Sequence, residues 1–274
     1  MTDKKYPLDI TVACSIGLEG GLARFKNDLP GFSADDFEMV HEWNRNLKKI
    51  ISGTEYKKLV GKTYRVLLTL PAKTLSKIID KLAVPYRSYY YAKRFLDAAN
   101  FVYERADKGA NVVDFGRGLS PWCHIIKKNR PDINLFTIDM PETNSVYNAV
   151  SKKMNLQIPI FNNMPVNPVF HKDMFVSLGT FVYLDKTEQS VKLTEASQQF
   201  KNLFIEIEKP NVVQSDTAIV NNLGTKYNSG LSVKEINSIM GSNIPFELKE
   251  IGGYVKDPCV AHALKSATET FIVR

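Results

Sequence analysis

The chain has 274 residues, of which 44% are hydrophobic and 24% are charged, and its formal net charge is +7. This length can bury one substantial core, or a domain together with an extension. No apolar run approaches the roughly 20 residues that span a bilayer, and the first residues lack the apolar stretch of a signal peptide. The positive charge would suit a nucleic acid, but no run of five Lys or Arg residues occurs, so a dedicated nucleic-acid surface is not favoured.

The three cysteines, Cys14, Cys123 and Cys259, are widely spaced and form no C-x-x-C pair. This usage is typical of a reduced, intracellular chain without structural zinc. The sequence therefore predicts a cytoplasmic protein with no metal site and no membrane partner. It predicts no particular oligomeric state.

The first part of the chain, residues 1–107, is predicted to be a helical extension. Ser33 or Asp35 can cap a helix that runs through Ile51. Apolar residues spaced by three and four predict a second helix over Leu68–Leu82, and a third begins near Tyr89 and runs through Val102.

From residue 108 to the end, short apolar runs alternate with helical segments. This alternation predicts an α/β domain with a Rossmann-like, doubly wound sheet, mostly parallel. Two further runs at the end predict a hairpin that adds an antiparallel C-terminal strand, and the polar residues 211–243 are predicted to form a lid over the substrate. The predicted strands are Val112–Phe115, Leu135–Ile138, Ile158–Phe161, Met174–Leu178, Leu203–Ile207, Phe246–Ile251 and Thr270–Val273.

A glycine turn follows the first predicted strand. Asp114 closes the strand, Gly116 and Gly118 allow a tight turn, and Ser120 can cap a helix whose first residue is Pro121. Such a turn lets the backbone approach a nucleotide closely. Because Pro121 occupies the third glycine position of the G-x-G-x-x-G fingerprint, a dinucleotide pyrophosphate is disfavoured. Asp-x-Gly-x-Gly is the pattern of S-adenosylmethionine enzymes, whose cofactor carries an ammonium group and no phosphate.

Polar residues also follow the second and third strands. Asp139 ends the second strand, where a carboxylate can accept both hydroxyls of a ribose, although a loop or helix-cap role is the alternative. Asn162 and Asn163 end the third strand, where an amide can meet the amino group of adenine. A turn-forming role for these asparagines is equally compatible with the sequence.

Four blocks of the sequence, together spanning about residues 85–210, resemble the leucine carboxyl methyltransferase superfamily, which includes bacterial O-methyltransferases of polyketide-type pathways. The family has an Arg-x-Tyr-Tyr-x-Arg helix start, a V-x-x-G-x-G turn, an F-x-V-D-L/F-P-E strand end and an E-G-x-x-x-Y-L segment. The matching blocks here are Arg87–Arg94, Val112–Ser120, Phe136–Glu142 and Phe175–Leu184.

The resemblance implies an S-adenosylmethionine-dependent methyltransferase that methylates an oxygen of a small-molecule carboxylate or hydroxyl. Arg87 would hold the carboxylate of the cofactor, a bidentate task suited to a guanidinium, with Lys93 and Arg94 as the alternatives. Asp114 and the glycine turn would meet the amino-acid end of the cofactor. Met140 and Ser177, which lie in the matched blocks, are further predicted cofactor contacts.

Tyr183 is the predicted catalytic residue, because it follows the fourth strand near the expected position of the methyl group. A core-packing role is the alternative. A hydroxyl acceptor would need a general base, for which His124 and His171 are the available histidines, whereas a carboxylate would not.

The sequence departs from the family at Leu178, where a glutamate is usual, which puts the substrate type in question. Two other functions remain open, an RNA methyltransferase and a non-catalytic module that binds a partner. An amino-methyltransferase of adenine or cytosine is disfavoured, because its Asp/Asn-Pro-Pro-Tyr/Phe motif is replaced here by Ser177-Leu-Gly-Thr180.

Overall fold

Seven strands of the described chain form one sheet in the order β3-β2-β1-β4-β5-β7-β6. Strands β1 to β5 pair in parallel, and β7 runs antiparallel to both β5 and β6. The predicted α/β architecture with a parallel sheet is therefore confirmed. The strands are β1 Asn111–Phe115, β2 Asn134–Ile138, β3 Ile160–Phe161, β4 Met174–Ser177, β5 Asn202–Ile207, β6 Glu247–Glu250 and β7 Thr270–Val273. The computed structural model describes residues 8–25, 31–61, 65–66, 69–82, 87–162, 173–208, 210, 228–241, 246–250 and 270–273.

Helices precede the sheet and connect its strands. The helix predicted to end at Ile51 is confirmed, and Ser33 caps it in a reciprocal capping box with Asp36. The second predicted helix begins only at Ala72, because the residue before Pro71 is disfavoured from helical conformation. The helices are α1 Asp9–Phe25, α2 Ala34–Ile51, α3 Ala72–Leu82, α4 Arg87–Arg105, α5 Trp122–Asn129, α6 Pro141–Lys153, α7 Lys186–Gln199 and α8 Val233–Met240.

Helix α1 was not predicted from the sequence, since its glycines argue against a helix interior. The structure shows why they are there. A Cβ on Gly17 would lie 2.5 Å from Cδ2 of Tyr91, and one on Gly21 would overlap the carbonyl of Ser88. Glycine thus lets α1 pack directly against α4.

Helices cover both faces of the sheet. Successive residues of a strand point to opposite faces, so neighbouring strand residues pack against different helices. Val112, Val176 and Phe204 join a cluster with α1, α4 and α5, whereas Val113 and Phe175 join a cluster with α7 and α8. Helices α1 and α4, which precede β1, thus share one hydrophobic cluster with the sheet. The boundary predicted at residues 107–108 falls in the turn between α4 and β1.

The lid predicted over residues 211–243 is described only from 228 to 241, where Ser232 caps α8, and its remainder lies outside the described residues. None of the described helices is long and apolar enough to cross a membrane. Within the same described ranges, no group of three or more His, Cys, Asp and Glu side chains is arranged to hold a metal ion.

Candidate functional site

A cavity of about 470 Å³ opens at the carboxyl ends of β1, β2 and β4. Parallel sheets usually bind ligands at this edge, and the volume lies within the range of about 300–1,000 Å³ that small-molecule sites occupy. Residues that follow β1, β2, β3 and β4, together with the helices α1 and α4, supply most of its walls. The residues that line the cavity include Thr11, Cys14, Arg94, Gly116, Arg117, Gly118, Asp139, Met140, Asn162, Leu178, Gly179, Thr180 and Tyr183.

The glycine turn forms one wall of this cavity. Gly116 and Gly118 have φ values of 74° and 64°, which glycine adopts more readily than other residues. A Cβ on Gly116 would overlap the Thr180 side chain. The Thr180 hydroxyl lies 3.0 Å from the carbonyl oxygen of Gly116 and 3.2 Å from that of Phe115. The turn after β1 is therefore held against the loop after β4.

The helix that follows the turn begins one residue later than predicted. Trp122 is the first residue of α5 and Pro121 is its N-cap, so the predicted capping role of Ser120 is wrong. The Pro121 carbonyl accepts hydrogen bonds from the backbone N–H groups of His124 and Ile125. The Ser120 hydroxyl lies one position too early to cap the helix, and it is buried without a hydrogen-bond partner among the described residues.

Asp139 lies beside the glycine turn, directly after β2, as predicted. Its Oδ2 accepts a hydrogen bond from the N–H of Gly118 at 2.7 Å, and its Oδ1 accepts one from the N–H of Met140 at 2.7 Å. Two backbone donors thus fix the carboxylate in the cavity wall. Met140 and Asn162 line the same end, and Asn163 lies outside the described residues.

Two predicted contact residues do not reach the cavity. Asp114 and Ser177 are fully buried behind it. The Oδ2 of Asp114 accepts hydrogen bonds from Nε1 of Trp122 and Sγ of Cys123, both at 3.0 Å, while the Ser177 hydroxyl donates to the Phe115 carbonyl. Burial raises the pKa of Asp114 to about 7, although the hydrogen bond from Cys123 and the positive charge of Arg117 act to lower it. Both side chains support the wall from behind.

Arg117 lines the cavity and was missed in the sequence, where it is a single basic residue between two glycines. Its side chain is buried, with Nη1 donating to Oδ1 of Asn144 at 2.9 Å. The guanidinium lies 3.6 Å above the ring of Tyr147. Among the described residues, its Nε and Nη2 have no hydrogen-bond partner.

The other end of the cavity holds Arg94 of α4, one of the two alternatives to Arg87. Its Nη1 lies 3.2 and 3.1 Å from the two carboxylate oxygens of Glu206, and both side chains are almost completely buried. Lys93 instead pairs with Asp97 and does not line the cavity. Arg87 begins α4, but its side chain lies outside what the structure describes.

Tyr183 lies beside Cys14 in the lining, at the end of a short 3₁₀ helix over Phe181–Tyr183. Burial raises the pKa of Tyr183 well above its usual range, the neighbouring Cys14 and Glu208 raise it further, and Arg94 opposes them. The hydroxyl therefore stays protonated near neutral pH and can act as a hydrogen-bond donor. Leu178, at the departure from the family pattern, also lines the cavity.

Among the described residues, no histidine lines the cavity. His124 is stacked 5.3 Å from the Tyr147 ring and lies 3.1 Å from the Ser151 hydroxyl, away from the cavity lining. Burial, together with the charge of Arg117, lowers the pKa of His124 to about 3. His124 is therefore a neutral core residue that does not line the cavity. His171 lies outside the described residues.

No protein-family model and no curated protein sequence matches this chain. Solved structures with similarity include the plantazolicin methyltransferase BpumL in complex with SAH, at a TM-score of 0.48 and 14% identity over 85% of this chain and 95% of that one. Magnesium protoporphyrin IX methyltransferase from Synechocystis PCC 6803 with bound SAH has a TM-score of 0.49 and 10% identity, covering 84% and 93%. An O-methyltransferase family 2 protein from Planctomyces limnophilus, complexed with apigenin, has a TM-score of 0.44 and 12% identity, covering 100% and 98%.

Proposed function

We propose that this protein is an S-adenosylmethionine-dependent methyltransferase that methylates an oxygen of a small-molecule carboxylate or hydroxyl. The observation that carries the proposal is that the two ends of one cavity carry side chains of opposite charge. At one end the Asp139 carboxylate is fixed by two backbone N–H groups, and at the other end Arg94 is fixed by Glu206. A ligand with a ribose at one end and an amino acid at the other matches this arrangement.

The end formed by Asp139 suits the adenosine part of the cofactor. Each carboxylate oxygen accepts one backbone hydrogen bond and has a further lone pair for a ribose hydroxyl. Met140 is 45% exposed beside it and offers an apolar surface for a flat base, and Asn162 lines the same end. Pro121 at the third glycine position, outside the cavity lining, gives no support to a dinucleotide pyrophosphate.

The end formed by Arg94 suits the amino-acid part of the cofactor. The guanidinium would hold the cofactor carboxylate. An ammonium group needs several acceptors, and the carbonyls of Phe115, Gly116 and Leu178 all lie 3.0–3.4 Å from the Thr180 hydroxyl. Because one hydroxyl proton can serve only one of these oxygens at a time, the same group of carbonyls can also accept from an ammonium.

The bound cofactor would supply an electrophilic methyl group for in-line attack by the acceptor oxygen. Tyr183, which remains protonated, would donate a hydrogen bond that orients this oxygen. A carboxylate acceptor is already ionised at neutral pH and needs no base. A hydroxyl acceptor would need one, and the cavity lining of the described residues includes no histidine.

An RNA acceptor is not supported by the lining of this cavity. Among the described residues its basic side chains are Arg94 and Arg117, both buried and held by partners inside the protein. Recognition of a phosphate backbone uses exposed lysine and arginine side chains along a surface. A small acceptor fits a cavity of this size better.

Titration calorimetry with S-adenosylmethionine and S-adenosylhomocysteine tests the proposed cofactor. We expect both to bind, and we expect Asp139→Ala to weaken binding at least 100-fold, because it removes the ribose acceptor and releases the Gly118 N–H that shapes the turn. A matched control is Asp107→Ala, an exposed acid outside the lining, which should leave the affinity within about twofold of the wild type.

Wild-type protein that binds neither compound would overturn the proposal. Unchanged affinity in Asp139→Ala would show that the ribose does not lie at the end of β2. Circular dichroism of both variants would verify that they fold. Transfer of a radiolabelled methyl group to a panel of small carboxylates and phenols would then separate the two acceptor classes.

A further inference from the structure

Glu206 is a carboxylate buried on the face of β5 that contacts α4. Its side chain has no measurable exposure, and Nη1 of Arg94 lies 3.1 and 3.2 Å from its two oxygens. The Tyr90 hydroxyl, one helical turn before Arg94, also donates to Glu206. A charge removed from water in this way is retained only with good partners, which Glu206 has.

The strand register places Glu206 beside the departure at Leu178. Ser177 of β4 is the parallel partner of Ile205 of β5, so the next residues along these strands are Leu178 and Glu206. Glu206 thus lies on the strand next to Leu178, on the sheet face that α4 covers. It approaches the cavity from behind Arg94.

We propose that Glu206 is a positioning residue that holds the Arg94 guanidinium in the orientation that binds the carboxylate of the cofactor. This inference rests on the proposed function. Glu206 does not itself line the cavity, so it acts through Arg94.

Other contacts confine the guanidinium on its remaining sides. Its Cζ lies 4.8 Å from the ring centre of Tyr91 and 5.2 Å from that of Phe95. A Cβ on Gly179 would lie 2.9 Å from Nη1, so glycine is needed for Arg94 to approach the loop after β4. The aromatic rings and the backbone at Gly179 thus restrict the position of the guanidinium, while the ion pair with Glu206 fixes its orientation.

The test compares the binding of S-adenosylmethionine with that of its decarboxylated form, which lacks only the carboxylate. We expect wild-type protein to prefer the carboxylated compound about 10- to 100-fold, as for hydrogen bonds to a charged group. In Glu206→Gln the amide places a donor where Nη1 needs an acceptor, so this preference should fall to about threefold or less. A purely structural role would weaken the binding of both compounds equally and leave the preference unchanged.

Four further variants, one of them a double variant, make the test specific. Glu208→Gln alters the buried glutamate that directly follows β5 and should leave the preference unchanged. Tyr90→Phe removes one donor to Glu206 and should lower the preference by a smaller factor than Glu206→Gln does. In an Arg94→Ala background, which should itself lose the preference, Glu206→Gln should have no further effect.

The outcomes separate the two proposals. An unchanged or increased preference in Glu206→Gln would overturn the positioning role while leaving the cofactor assignment intact. Wild-type protein that binds neither compound would overturn both. If Glu206→Gln does not fold, Tyr90→Phe decides the question, because an unchanged preference in that variant would overturn the positioning role.

Discussion

The two ends of the cavity are built in different ways. The Asp139 end is formed by residues that directly follow β1 and β2, and backbone N–H groups of the same loops fix its carboxylate. The Arg94 end is assembled from α1, α4, the loop after β4 and the far side of β5, and side chains fix its guanidinium. The first end depends on local turn geometry and the second on long-range packing. Substitutions at the two ends should therefore impair cofactor binding for different reasons.

The largest effect is expected at the glycine turn. Gly116→Ala should lower the affinity for S-adenosylmethionine at least 100-fold, because the new Cβ overlaps the Thr180 side chain and moves the turn out of the cavity wall. Gly109→Ala is a matched control, since Gly109 has a φ of 80° and a Cβ there would meet no atom within 4 Å. Both variants pay a backbone cost of roughly 1–2 kcal/mol in unfolding free energy.

Calorimetric titration and urea unfolding of the two variants separate strain from steric overlap. If Gly109→Ala lowered cofactor affinity as much as Gly116→Ala, the loss would reflect general destabilisation. The local geometry of the turn would then have no special role in cofactor binding.

The same contrast explains what the sequence could reveal. Asp139, Gly116 and Gly118 were found because a strand end and a glycine turn are local patterns, and the parallel sheet brings strand ends to one edge. The resemblance favoured Arg87, whose side chain lies outside what the structure describes. Arg94, the alternative seven residues further along α4, lines the cavity.

Other features of the site left no local pattern in the sequence. Helix α1, which supplies Thr11 and Cys14 to the lining, was not predicted because glycines are unfavourable inside a helix. The partnership of Glu206 with Arg94 joins residues 112 positions apart. Asp114 follows the expected motif, yet its orientation depends on Trp122 and Cys123 of the next helix. Such contacts are decided by tertiary packing.

A smaller effect, confined to turnover, is expected at the acceptor side. Tyr183→Phe should lower kcat about tenfold through the loss of one oriented hydrogen bond, while the affinity for S-adenosylmethionine changes less than about twofold. Because the pKa of Tyr183 is raised well above its usual range, the ratio of wild-type to variant kcat should stay constant from pH 6 to pH 8. A ratio that grows with pH would indicate that Tyr183 acts as a phenolate base.

The smallest functional effect is expected at Asp114, which follows the motif but lies behind the cavity wall. Asp114→Asn should change the affinity for S-adenosylmethionine less than about threefold. Its consequence should appear in the pH dependence of stability. Burial raises the pKa of Asp114 from 3.8 to about 7 in the folded protein, so the folded state binds its proton more tightly than the unfolded state does.

The stabilisation from this proton is fully present below pH 3.8 and is lost as the pH rises through about 7. The unfolding free energy of wild type minus that of Asp114→Asn should therefore fall between pH 5 and pH 8, by up to a few kcal/mol. Urea unfolding at several pH values measures this difference, and Asp9, whose pKa burial raises to about 6, is common to both proteins and cancels. A difference that stays flat with pH, together with a large loss of cofactor affinity, would place the Asp114 carboxylate at the ligand. The Asp139 end would then depend on a buried side chain, as the Arg94 end does.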